Sequence, residues 1–343
     1  MIRPPALAQG DTVAFVAPAG GLAAHAEHRL RRGKEWFENQ GFKVDVYDTA
    51  TMNEGRFSSA PAEERAEDLM EAFLDEKVGA IISTIGGCTS NQLLGRLDYD
   101  AIKNNPTIFC GYSDITNLHA AFQTQANMVS FYGPAVITQF GEWPKPHGYT
   151  SKEFLRATQQ TEQHVVEPSE EWTDDKKNMD YVEGTDTGYH RDYQENPGYQ
   201  WLQSGEATGR LKGGCITSLM NLRGTKYWPD IQDSILLLET PEGANYWEGE
   251  DLAKIQSYLT NLQLDGAFSK ANGIIFGRGF GYEDEEKEQL KSMIKDATAG
   301  QEIPVLYGAD VGHTDPVTTV PLGVEASLSG DLDQFKVEGG VTL

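Results

Sequence analysis

The chain has 343 residues, 39% hydrophobic and 10% aromatic, enough for well-buried cores and two ordinary domains. Asp and Glu number 52 against 28 Lys and Arg, a formal net charge of -24, and a surface of that sign repels phosphate backbones, which argues against a nucleic-acid partner. The three cysteines, Cys88, Cys110 and Cys215, form neither a CxxC pair nor an even framework, so reduced thiols in a cytoplasmic protein are expected.

The opening stretch MIRPPALAQGDTVAFVAPAG has one arginine, a Pro-Pro pair and no long apolar run, so it reads as neither signal peptide nor anchor. No apolar run elsewhere approaches a membrane span, and no membrane partner is expected. TVAFVAP (12–18) predicts a strand, 24–40 a helix closed by Gly41, and KVDVYD (43–48) a second strand. An amphipathic helix is predicted over 60–76. VGAIISTIGG (78–87) is then a buried strand entering a Gly-Gly turn, and SNQLLGRL (90–97) a helix. Residues 107–110 end another buried strand, the chain reverses at Gly111, Tyr112 and Ser113, and a helix follows. Short strands alternating with helices imply a parallel sheet covered on both faces, with ligands beyond the carboxyl ends of the strands. Gly86, Gly87 and Ser113 all fall at such ends.

Residues 141–206 break this rhythm. Between 162 and 206 there are 12 Asp or Glu against three Lys or Arg, interspersed with Trp172, Tyr181, Tyr189, Tyr193, Tyr199 and Trp201. So many aromatics argue against disorder, and the segment reads as a domain crossing plus a structured loop over a site. After 207 a second unit is expected: ATGRLKGGCITSLMNLRGT turns through two glycines into a short helix, followed by a buried strand (233–240), a helix (250–268), a strand (271–279), a helix (284–299), and strand, loop and strands over 304–329. The expected organisation is an N-terminal α/β domain (1–150), an acidic aromatic crossing (151–206) and a C-terminal mixed α/β domain (207–343).

Ser113 sits on a strand-to-helix turn, where a serine hydroxyl either caps the helix or stands above the sheet as a nucleophile. A nucleophile needs a base and the base an orienting group. Of seven histidines, His25 and His28 show no metal-ligand spacing, His147, His164 and His190 lie in the irregular region and read as surface residues, and His119 lies inside a helix. His313 differs: it follows the apolar strand PVLYG in the glycine-bounded loop GADVGHTDP. Glu239 ends the apolar run SILLLE, and an acid at the edge of a buried strand needs a partner. The turn GGCTSN (86–91) and the amide of Asp114 offer backbone donors for an oxyanion; the same turn could instead start a helix or hold a phosphate. Two other readings stay open: a sugar- or nucleotide-binding protein using that turn as a phosphate cradle, and an α/β-hydrolase-like esterase. The second glycine of G-x-S-x-G is replaced by Ile115, which counts against the esterase.

Together, VAPAG near the start, TIGG (84–87), GYSDIT (111–116), GRLKGGCITSL (209–219), ILLLET (235–240) and GADVGHTDP (308–316) resemble the LD-carboxypeptidase family of serine peptidases, which includes the microcin C self-immunity proteins. The blocks fall in the family's order over nearly the whole chain. The resemblance implies a Ser113, Glu239 and His313 triad, an oxyanion hole of backbone near Gly87 and Asp114, a homodimer, and no metal or cofactor. It implies a small substrate: a cell-wall peptide whose amide joins an L-centre to a D-amino acid, or a peptidyl or aminoacyl nucleotide. The long insert, with EEWTDD (170–175) and YQWLQSGEATGRL (199–211), looks more like the immunity branch, with Trp172 and Trp201 as candidates to stack on a base. Gly86 and Cys215 complete the candidate substrate contacts; many cell-wall members have asparagine where Cys215 stands.

Overall fold

The computed structural model describes residues 1–55, 57–175 and 186–343, so Tyr181 lies outside the described residues. The strands, in chain order, are β1 (Thr12–Val16), β2 (Lys43–Val46), β3 (Val78–Ser83), β4 (Ile108–Gly111), β5 (Ser130–Tyr132), β6 (His164–Val165), β7 (Glu171–Trp172), β8 (Gln194–Glu195), β9 (Gln200–Gln203), β10 (Glu206–Cys215), β11 (Ser234–Glu239), β12 (Gly273–Gly277), β13 (Val305–Ala309), β14 (Val320–Leu322), β15 (Glu325–Ser329) and β16 (Gln334–Val337). They form a six-stranded sheet in the order β14-β5-β4-β3-β1-β2, an eight-stranded sheet in the order β6-β16-β15-β10-β11-β12-β13-β9, and the pair β7-β8.

Five strands of the first sheet are parallel, as expected of strands separated by helices. Side chains alternate across it: Val13 and Phe15 join one core with Leu30 and Phe37 of the helix Glu27–Asn39, while Ala14 and Val16 join another with Leu69 and Phe73 of the helix Ala62–Leu74. Both faces are therefore covered, which is why β1 and β3 are almost uniformly apolar. The second sheet is mixed. β10 to β13 run parallel, and β15, β16, β6 and β9 are antiparallel additions.

Alternation along β11 positions the functional site. Leu236 and Leu238 face the core beneath the helices Leu252–Leu264 and Asp284–Ala297, and Ile235 and Leu237 face a core shared with Tyr112 and Tyr132 of the first sheet. Glu239 continues the second series, so period-2 geometry aims its carboxylate at the junction between the sheets.

Several local expectations change. The segment 90–97 is a single 3₁₀ turn, Ser90–Leu93, with the α-helix delayed to Tyr99–Asn104, where Asp98 caps it. Gly95, with the entropy cost of glycine in a helix, interrupts the apolar run. Gly213 and Gly214 make no turn; β10 runs through both at positive φ and the helix Ile216–Met220 starts after Cys215. The chain also recrosses, because β14 pairs with β5 as the edge of the first sheet, while β6 and β9 from the crossing segment join the second. Among the described residues no helix is long and apolar enough to cross a membrane.

Candidate active site

Ser113 closes the turn after β4. Tyr112 is extended and Ser113 takes φ 64°, a left-handed conformation that costs a non-glycine residue roughly 1 kcal/mol or more. A 3₁₀ turn, Ser113–Ile115, leads into the helix Thr116–Ala121. Its hydroxyl makes no cap to that helix; Thr116 Oγ1 instead donates to the Ser113 carbonyl at 2.7 Å. Ser113 Oγ lies 3.0 Å from His313 Nε2. On the other side of the ring, Nδ1 lies 2.8 Å from Glu239 Oε2. With the carboxylate as acceptor, Nδ1 carries the hydrogen and Nε2 presents its lone pair to the serine hydroxyl.

The loop after β13 holds the imidazole. Gly312 has φ 102°, and a Cβ there would stand 2.6 Å from Glu239 Oε2, so a side chain would occupy the carboxylate's place. The ring of Tyr112 meets that of His313 edge-on, centroids 5.0 Å apart. Glu239 is fully buried, and its second oxygen, Oε1, accepts from Tyr132 Oη at 2.5 Å. Tyr132 Oη in turn accepts from the backbone N–H of Ser113 at 3.1 Å. Burial, and then the Glu239 charge, push the Tyr132 phenol well above its ordinary pKa, which keeps it a donor. Tyr132 thus ties carboxylate to nucleophile. In the sequence it reads as one more aromatic of a core strand, and only its cross-sheet partner distinguishes it.

Gly86 backs the serine. A Cβ on it would stand 2.8 Å from Ser113 Cβ, 3.1 Å from Oγ and 3.4 Å from the amide nitrogen of Asp114. Any larger residue would fill the space beside both the hydroxyl and that amide. The Gly86 carbonyl accepts from Gly20 N at 2.9 Å, which turns the Gly87 amide the opposite way, since C=O and N–H point apart in a trans peptide. The Asp114 side chain is structural: Oδ2 accepts from Ser90 N at 2.8 Å and Oδ1 from Asn117 Nδ2 at 2.8 Å, pinning the 86–91 turn to the serine helix. Burial raises its pKa.

A cleft of about 1220 Å³ opens in front of Ser113 and His313. Gly86, Gly87 and Asp114 line it, as do Thr217, Ser218, Glu242, Tyr246, Trp247 and Lys254. The two tryptophans singled out in the sequence lie elsewhere. Trp172 is buried under the guanidinium of Arg278, 4.7 Å from its ring centre, and Trp201 is on β9, bonded through Nε1 to Asp333 at 2.7 Å. Each is drawn away by its sheet partners; the aromatics lining the cleft include Phe57, Tyr112, Tyr246, Trp247 and Tyr258, of which Phe57, Tyr246 and Trp247 are 79%, 72% and 51% exposed. Cys215 is also outside the cleft: its side chain is buried, its amide donates to Thr116 Oγ1 at 2.9 Å, and burial raises the thiol pKa.

Of the remaining histidines, His28 is buried against Asp186, His147 caps the helix Gly148–Gln159, and His25 lines the cleft. Among the described residues no three His, Cys, Asp or Glu side chains are grouped to hold a metal ion.

A serine raised on a strand–turn–helix junction, bonded to a histidine that is bonded to a buried carboxylate, is the arrangement of a serine hydrolase. The chain belongs to the LD-carboxypeptidase family of serine peptidases: residues 13–133 match the LD-carboxypeptidase N-terminal domain and residues 208–328 the C-terminal domain. It is 34% identical to the putative carboxypeptidase YocD of Bacillus subtilis, over 92% of this chain and 93% of that protein. It is 32% identical to the microcin C7 self-immunity protein MccF of Escherichia coli, over 95% of this chain and 92% of that one. The structure of MccF in complex with aspartyl sulfamoyl adenosine matches with TM-score 0.91 at 29% identity, covering 100% of both chains.

Proposed function

We propose that Ser113, His313 and Glu239 form the catalytic triad of an amidase that cleaves the bond between an L-acyl residue and either a D-amino acid or an aminoacyl-nucleotide leaving group. The continuous bond path from Ser113 Oγ through His313 to Glu239 at the floor of an open cleft carries the reading. His313 takes the serine proton as Oγ attacks the carbonyl, Glu239 holds the ring and stabilises its cation, and the amides of Gly87 and Asp114 receive the oxyanion. His313 then protonates the leaving nitrogen; in the second half His313 takes a proton from water as it attacks the acyl-enzyme and returns it to Ser113 Oγ as the carboxylic acid leaves. The Ser113 amide, held by Tyr132, takes no part in the oxyanion hole.

Between the two leaving groups, exposed Tyr246 and Trp247 at the cleft favour a planar one, since an aromatic ring offers a nucleobase a stacking surface. The likeness to a self-immunity protein solved with an aminoacyl sulfamoyl nucleoside supports the same choice. We further propose a cytoplasmic homodimer, consistent with three unpaired cysteines and with the family resemblance.

Mass spectrometry of a muropeptide tetrapeptide and an aminoacyl sulfamoyl adenosine incubated with the protein tests this. Release of sulfamoyl adenosine is expected, and Ser113→Ala should lower kcat by about 10⁴-fold or more while leaving the fold intact. Wild-type turnover by Ser113→Ala would refute the triad; release of D-alanine alone would place the chain among the cell-wall enzymes.

A further inference from the structure

Ser113 is held through both of its backbone polar groups, and both ties end on the second sheet. Its N–H donates to Tyr132 Oη, which donates in turn to Glu239 Oε1. Its carbonyl accepts from Thr116 Oγ1 at 2.7 Å, and the same Oγ1 accepts at 2.9 Å from the backbone N–H of Cys215, at the end of β10. Cys215 is the register partner of Glu239 on β11, so the two ties reach neighbouring points of one sheet. Thr116 is fully buried. Gly214 makes room for both hydroxyl-bearing side chains: a Cβ there would stand 2.6 Å from Thr116 Oγ1 and 2.9 Å from Tyr132 Cε2.

The Ser113 carbonyl and the Asp114 N–H are the two ends of one peptide unit. In a trans peptide they point apart, so fixing the carbonyl fixes the direction of the amide. The backbone N–H of Thr116 also reaches that carbonyl, but it belongs to the same turn and moves with it. The hydroxyl instead refers the carbonyl to β10, a strand of the other sheet. We propose that Thr116 is a positioning residue of the oxyanion hole, whose hydroxyl links the β10 backbone to the Ser113–Asp114 peptide and aims the Asp114 N–H at the developing oxyanion. The inference rests on Ser113 being the nucleophile. Aim matters because the donor must meet the oxygen where charge develops in the transition state. Bonds in series also strengthen one another: the Cys215 N–H makes the Thr116 hydroxyl a better donor, and a carbonyl accepting from it leaves the Asp114 N–H more positive. Ser113 itself, at φ 64°, keeps its left-handed conformation because its surroundings over-determine it.

The test compares, in the full chain, Thr116→Val, which keeps the branched shape and loses the hydroxyl, with Thr116→Ser, which keeps the hydroxyl. Turnover is measured on whichever of alanyl sulfamoyl adenosine and the muropeptide the wild type cleaves, per site counted by exhaustive fluorophosphonate labelling, and the rate of that labelling is followed in parallel. Thr116→Val should lower kcat and the labelling rate about 10–50-fold with the pH profile of kcat/KM unmoved, and Thr116→Ser should stay within about threefold of wild type. Calorimetry in the Ser113→Ala background separates aim from shape: adding Thr116→Val should leave the Kd of the same compound within about twofold, because the ground state barely uses the oxyanion donor. A Kd that rises as far as kcat falls, a loss confined to the number of labelled sites, or a Thr116→Ser as slow as Thr116→Val overturns the proposal. Should Thr116→Val not fold, Thr116→Ala, which sets no methyl against the Ser113 carbonyl and the Cys215 N–H, replaces it in the comparison. A wild type that cleaves neither compound and leaves Ser113 unlabelled removes the amidase reading and this inference together; an active wild type with an unaffected Thr116→Val removes this inference alone.

Discussion

The loop that carries His313 has two faces, built on opposite principles. Toward the cleft, His313 is shared among Ser113, Glu239 and Glu242, with solvent access in front. Behind, the acids flanking it are locked. Asp310 accepts from Arg278 Nη2 at 2.9 Å and from the Ser169 amide at 2.7 Å, while Asp315 accepts from Arg191 Nη1 at 2.7 Å and from Gln139 Nε2 at 3.0 Å. The backbone of Asp315 also pairs in both directions with Thr173. Ser169, Thr173 and Arg191 all belong to the acidic aromatic segment, and none of its described residues lines the cleft. That segment, read in the sequence as a loop over the site, supplies in its described parts a clamp behind it. Rigid charge pairs at the back let the histidine in front keep a chemically exposed lone pair at fixed position.

This division predicts that front variants lose rate and keep stability, and that rear variants do the opposite. Glu239→Gln should have the largest effect of the front set: the amide removes the charge that stabilises the imidazolium, and kcat should fall by about 10³–10⁴-fold. The rate of fluorophosphonate labelling at Ser113 measures it, and labelling at the wild-type rate would contradict the orienting role. Tyr132→Phe is gentler. It deletes the bond to Glu239 Oε1 and the acceptor of the Ser113 amide, so kcat should fall about 10–100-fold with KM unchanged. An increase in KM without a change in kcat would mean that Tyr132 shapes the cleft rather than the relay.

At the rear, Arg191 is buried between Asp315 and Glu142, and its Nε donates to the Asp175 carbonyl at 2.8 Å. Arg191→Met would leave two buried carboxylates facing each other and should cost about 3–5 kcal/mol in urea unfolding, with kcat near wild type below the transition. If Arg191→Met were instead as stable as the wild type but slow, the two faces would be one cooperative unit and the comparison would fail.

The front face was more legible in the sequence than the rear for a physical reason. Ser113, Glu239 and His313 each stand where an apolar run ends in a polar group, Ser113 after β4 of the first sheet and Glu239 and His313 at or after β11 and β13 of the second, and such groups gather at the carboxyl ends of parallel strands. The alternation of β11 then fixes which way Glu239 points. What was not legible depends on partners far away in sequence: Tyr132 on Glu239, Glu242 on His313, Arg191 on Asp315, and β14 on β5. Trp172 and Trp201 were misplaced for the same reason, since composition shows that aromatics are present but only strand pairing shows which surface they cover. The helix predicted at 90–97 failed locally, where Gly95 and the Asp98 cap outweighed the apolar pattern.

The smallest effect separates two histidines. His119 lies in the helix that Ser113 opens, fully buried, with Nε2 bonded to the Gly111 carbonyl at 2.9 Å and Nδ1 to Ser130 Oγ at 2.8 Å. No carboxylate meets it, so burial wins and its pKa falls to about 4 from 6.5, whereas His313 has acids at both nitrogens. With the folded value below the unfolded one, the unfolded chain binds the extra proton first. The stability tied to neutral His119 is fully present above pH 6.5 and is lost as pH falls toward 4, at no more than about 1.4 kcal/mol per pH unit. In urea unfolding between pH 7.5 and 4.5, His119→Gln should flatten the pH dependence by about one proton relative to the wild type. Parallel curves for the two proteins would mean that His119 titrates normally in the folded chain, and that the wall behind the nucleophile is wetter than its burial indicates.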